Sequence, residues 1–164
     1  MTWSKEWNRL SEDQKVIIES KHTDLPVKIG QVAQELGLKV KSATLDANIS
    51  GMILSEDEGH LIKINRHDVK ERQRFTLAHE IAHFLLHRDF IGDGIEDDVL
   101  YRSRLSDSLE VEANRLAADM IMPWGKVQEE LAKISDKKRE IQNEELAEKF
   151  GVSVTAIKIR LGRV

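Results

Sequence analysis

The stretch Arg74-Phe75-Thr76-Leu77-Ala78-His79-Glu80-Ile81-Ala82-His83-Phe84-Leu85-Leu86-His87 sets three histidines and a glutamate into an otherwise apolar helical pattern. With His79 at zero and about 100° per residue, His83 falls near 40°, His87 near 80° and Glu80 near 100° on the helical wheel. Phe75, Ala78, Ile81, Ala82 and Leu85 lie largely elsewhere on the wheel. Such a stripe on a core helix is costly unless it binds something, because buried polar groups need partners. His79 and His83, at i and i+4, project from one face and can share a metal ion. Glu80 stands beside them, where it can take a proton from an activated water.

At 164 residues the chain is about one domain, long enough to bury a core. With 40% hydrophobic and 33% charged residues, it reads as an ordinary water-soluble protein. The N-terminus lacks an apolar export segment, and no apolar run is long enough to span a bilayer. Cytoplasmic residence and no membrane contact are therefore expected. Cysteine is absent, so a metal here has to be held by His, Asp and Glu. A net charge of −4 argues against wholesale nucleic-acid binding.

The remaining pattern is α+β and mainly helical. Trp3, Trp7 and Leu10 share an amphipathic face, either a docking arm or, more simply, core packing. Ser11-Glu12-Asp13-Gln14 resembles a capping box. Pro26 sits where a second helix begins, and Gly37 where it ends. Leu38-Lys39-Val40 reads as a short strand. Residues 50–55 and 60–65 flank a turn as an antiparallel hairpin, whose second strand could accept an extended peptide or serve structure alone. Asp68 with Glu71 caps the motif helix. The acidic run Glu96-Asp97-Asp98 lacks the order of a calcium loop and reads as a solvated connection. A further helix starts near Asp107 and ends before Pro123. From residue 126 the chain becomes a charged helix and then a helix-turn-helix-like pair, with Ala147, Gly151 and Ile157 at the characteristic spacing. Two regions result, 1–125 and 126–164. Seven Lys/Arg against four Glu from Lys137 onward leave +3, enough for weak DNA contact, although packing is the simpler use of such a pair.

A catalytic zinc site needs a third protein ligand and an open position for water. The long metzincin pattern requires glycine at position 86 and histidine at position 89, where this chain has Leu86 and Asp89. The alternative is a glutamate from a second helix, Glu110 or Glu112. Glu110 shares a small apolar face with Ala117 and Ile121, suited to close packing. Glu112 groups with Arg115 and Asp119 as an exposed charge-paired face. Glu110 is thus the expected ligand and Glu112 a surface residue. Asn114, one turn beyond Glu110, can orient a ligating histidine. Tyr101 and His87 are candidates to stabilise an oxyanion, and His87 can instead cap its helix.

The motif helix, with Glu110-x-x-Ala113-Asn114-x-x-Ala117-Ala118 and Ile121-Met122-Pro123, resembles the ImmA/IrrE family of metallopeptidases. Leu116 stands where members commonly carry an aromatic residue. The resemblance implies an intracellular zinc endopeptidase with Zn²⁺ on His79, His83 and Glu110 and with Glu80 as the base. It also implies a protein substrate, an Xre-type helix-turn-helix repressor. The competing readings are a DNA-binding regulator with a vestigial metal site, and a module that sequesters a repressor without cutting it.

Overall fold

The structure, a computed structural model, describes residues 2–98, 103 and 105–164. After a 3-10 turn at Trp7–Arg9, Ser11 starts helix α1 (Glu12–Glu19) with a complete capping box. Helix α2 (Ile29–Glu35) begins three residues after Pro26, so the proline precedes the helix and does not form its first turn. Gly37, at φ 83°, makes the left-handed exit from it.

Strands β1 (Lys39–Ala43), β2 (Ile49–Glu56), β3 (Gly59–Asn65) and β4 (Ile95–Asp98) form one sheet in the order β1-β3-β2-β4. The expected hairpin is β2–β3, but β1 pairs parallel to β3, so the sheet is mixed. β3 is therefore interior, with neighbours on both sides, and cannot take a peptide by strand addition. The run expected to be a solvated connection is instead the edge strand β4. Its alternation puts Ile95 and Asp97 inward and Glu96 outward.

Helix α3 (Lys70–Leu86) packs against β2 and β3 on one side and helix α4 (Asp107–Ile121) on the other. Its N-cap is Val69, with no side-chain cap from Asp68. Every residue from Thr76 to Phe84 is buried. Helices α5 (Trp124–Ala132), α6 (Arg139–Phe150) and α7 (Val154–Arg160) complete the chain. Gly151, at φ 63°, turns α6 into α7, and Ala147 and Ile157 are buried between them. Arg74 of α3 donates to the carbonyls of Val27 (2.8 Å) and Gly151 (3.1 Å), tying the motif helix to both flanks of the chain.

The two tryptophans pack rather than project. Trp7 is buried, and the Trp3 ring stacks on it at 3.9 Å. The face assigned to Glu112, Arg115 and Asp119 is a solvated charge stripe only in part, with Arg115 exposed and Asp119 not. Asp119 is fully buried, accepting from the Ser4 hydroxyl at 2.5 Å and from Arg160 at 3.4 Å. Arg115 reaches Glu6 at 3.1 Å. The N-terminal segment and α7 cover that side of α4, which an isolated helical wheel cannot show. None of the helices is long and apolar enough to cross a membrane, among the described residues.

Candidate metal centre

Helix α3 presents His79 and His83 one turn apart, with their rings edge to face at 4.6 Å. Both Nε2 atoms stand 3.0 Å from the same oxygen, Oε1 of Glu110 on α4. The small residues Ala78 and Ala82 of α3, and Ala113 and Ala117 of α4, are buried and allow the close helix pairing this needs. The other Glu110 oxygen accepts from the Ser103 hydroxyl at 2.5 Å. Glu110 thus stands where the wheel placed it.

Asp97 enters from the sheet. Its Oδ1 is 3.5 Å from His79 Nε2 and its Oδ2 is 3.5 Å from His83 Nε2. Gly51 and Asp97 are direct partners across β2 and β4, so both face α3. A side chain at position 51 would point at Thr76 and Glu80; its absence leaves room for the Glu80 carboxylate. His79, His83, Asp97 and Glu110 each offer one ligand atom, all within 4.8 Å of one another and all buried. Ligands held about 2.0–2.1 Å from a tetrahedral zinc lie roughly 3.3 Å apart, so this cluster has the dimensions of a metal site.

The electrostatics point the same way. Burial would lower the His79 imidazole, but the facing Asp97 and Glu110 outweigh it and push it up to about 9. Burial raises the Asp97 and Glu110 carboxyls, yet the two histidines hold both below the ordinary carboxylate range. Burial, then the charge of Asp97, drives Glu80 the other way, well above it. The two buried carboxylates Asp97 and Glu110, beside two imidazoles, therefore call for a cation, and protons and a divalent metal compete for that place. Glu80 lies against Asp97, close enough for a proton held on the Glu80 carboxyl to be shared between them.

Around these residues lies a second ring of contacts. With both Nε2 lone pairs turned to a metal, His79 Nδ1–H donates to Asn114 Oδ1 at 2.8 Å, the orienting contact expected of Asn114. His83 Nδ1–H donates to His87 Nδ1 at 3.0 Å, and His87 Nε2–H donates to Glu112 at 2.8 Å. Glu112 also accepts from Arg9 at 3.0 Å. Burial lowers His87, keeping it in the neutral form this relay requires. His87 is at once the C-terminal cap of α3 and a support for His83. Glu112, expected to be uninvolved, closes the relay. Tyr101 lies outside the described residues.

Sequence reasoning missed Asp97, Ser103 and the His87–Glu112 link. Asp97 left one signal: Ile95, Asp97 and Val99 alternate, the period of one strand face.

Residues 33–162 match the family described as the IrrE N-terminal-like domain, a peptidase family. The chain belongs to this family. Its match includes α3, β4, α4 and the closing helix pair. Among curated proteins, the chain is 38% identical over 103 residues to the radiation response metalloprotease IrrE of Deinococcus deserti. That alignment covers 62% of this chain and 35% of the relative. The protein of the same description from Deinococcus radiodurans is 36% identical over 103 residues, 62% of this chain and 30% of the relative. The chain thus spans about a third of the length of these curated relatives.

Proposed function

We propose that the protein is a cytoplasmic zinc metallo-endopeptidase whose substrate is a protein, an Xre-type helix-turn-helix repressor. The observation that carries this reading is the meeting of two Nε2 atoms with one Glu110 oxygen at 3.0 Å, beside the buried Glu80 carboxyl. The membership in a peptidase family supports the hydrolytic class, and the two curated relatives support a metal-dependent one.

His79, His83 and Glu110 would hold zinc, and their nitrogen and carboxylate donors suit it. When bound, zinc supplies Lewis acidity and makes water a nucleophile at neutral pH. Glu80 takes the proton of the attacking water as its oxygen adds to the scissile carbonyl. It then delivers that proton to the amine as the C–N bond breaks. Asn114 fixes the His79 ring, and His87 with Glu112 fixes His83, so that both donors stay aimed.

Two of the C-terminal cations that the DNA-binding alternative would use are already engaged within the chain. Arg160 is engaged with the Met122 carbonyl at 2.9 Å and with Asp119, and Arg163 with Asn143 at 2.7 Å and Gln142 at 2.9 Å. The test is incubation with a repressor encoded beside the gene, with and without chelator, alongside Glu80→Gln. Cleavage by the zinc-loaded wild type alone is expected. Intact repressor in every reaction, with zinc bound, would refute the peptidase reading and leave sequestration.

A further inference from the structure

We infer that Asp97 is a fourth, internal metal ligand that closes the site in the free chain, so that a docking substrate has to draw β4 away before water reaches the metal. The inference rests on the metal reading above and concerns what occupies the position that a reacting water needs. A structural zinc site uses four protein ligands, whereas a catalytic one uses three and leaves a place open. Here the three expected ligands come from two helices, and the fourth donor comes from a different element.

Three observations converge on Asp97. Its oxygens lie 3.5 Å from each imidazole nitrogen, too far for a good hydrogen bond yet close to the edge of a zinc tetrahedron, about 3.3 Å. The residue is fully buried against His79, His83 and the Glu80 carboxyl, and a carboxylate buried among such groups is costly unless a cation neutralises it. Finally, two neutral imidazoles, Glu110 and Asp97 balance the two charges of a divalent ion, which stabilises a closed, dry shell.

The strand that carries Asp97 is built to leave. β4 has four residues and pairs only with β2 among the described strands. Its ladder is already irregular between Ile49 and Gly51. It follows Gly92 and Gly94, at φ 48° and 142°, backbone states that other residues rarely adopt. Helices α3 and α4, by contrast, are locked together, so the three helical ligands stay while the sheet ligand goes.

The experiment is cobalt substitution of the wild type, Asp97→Asn and Asp97→Ala, followed by the visible spectrum, azide titration and chelator competition. The wild type is expected to give an intense four-coordinate cobalt spectrum that azide leaves unchanged. Asp97→Ala should become azide-responsive and lose at least about tenfold in cobalt and zinc affinity. Asp97→Asn conserves volume, so it separates loss of the ligand from loss of packing; it should respond to azide as Asp97→Ala does. A wild-type spectrum that azide shifts as readily as the variants' would overturn the inference. So would variants that keep the wild-type spectrum and affinity. Either result with one metal bound per chain leaves the peptidase reading intact, whereas a wild type that binds no metal sinks both.

Discussion

Gly51→Ala tests whether the sheet is seated on the motif helix as closely as the site requires. A methyl built at position 51 lies 2.5 Å from Thr76 Cγ2 and 3.1 Å from the Lys63 carbonyl. Carbon atoms pack at about 3.5–4.0 Å, so the overlap with Thr76 is on the order of 1 Å. Thr76 is fully buried with a stiff β-branched side chain, and Lys63 sits on β3, so neither neighbour yields easily. Overpacking of this kind costs about 1–3 kcal/mol. Reduced freedom of the unfolded chain returns roughly 0.4–1 kcal/mol, too little to offset it. The net loss is about 1–2 kcal/mol, or roughly 2–8 °C in melting temperature for a chain this size. Thr76→Ser removes the clashing methyl, so the double variant should be more stable than Gly51→Ala alone, with a coupling of about 0.5 kcal/mol or more. Urea denaturation of all four proteins reads the cycle. If Gly51→Ala matches the wild type and the two changes are additive, β2 is not pressed onto α3 as described.

Glu110→Ala should abolish stoichiometric zinc binding, as measured by metal analysis after dialysis, while Glu80→Gln should retain it. Glu112→Ala should retain zinc but weaken it by about tenfold, because Glu112 only anchors His87; wild-type affinity would remove Glu112 from the relay. His22 gives a pH dependence away from the metal: its Nε2 donates to the Met120 carbonyl at 3.0 Å, and burial lowers it to about 4. The unfolded chain binds that proton first, so its contribution is complete above about pH 6.5 and is lost as pH falls toward 4. From pH 8 to pH 5 the wild type should lose about 2 kcal/mol more than His22→Gln in denaturant titrations, and parallel curves would contradict the burial of a neutral imidazole.

Glu110 was legible because its face is defined by small residues, and small residues are where two helices touch. The same wheel misplaced Asp119 and isolated Glu112, since it treats whatever is not the helix contact as solvent. Here the N-terminal segment and α7 cover Asp119, and His87 reaches Glu112 from the next helix. Those partners are distant in sequence, and no periodicity encodes them. Asp97 is the harder case. Three consecutive acids, Glu96, Asp97 and Asp98, are chemically near-equivalent, and which one faces inward depends on strand register. Ile49 pairs with Asp98 and Gly51 with Asp97, an irregularity that skips Ser50. Slipping β4 by one residue would turn Asp97 to solvent and aim Glu96 or Asp98 at the histidines. The donor type near the metal would survive such a slip, but its reach would not, because a glutamate is one methylene longer and Asp98 sits at the strand end. The fourth position is thus selected by a bulge and by the missing side chain of Gly51, two backbone features that act only once β2 has been laid across α3.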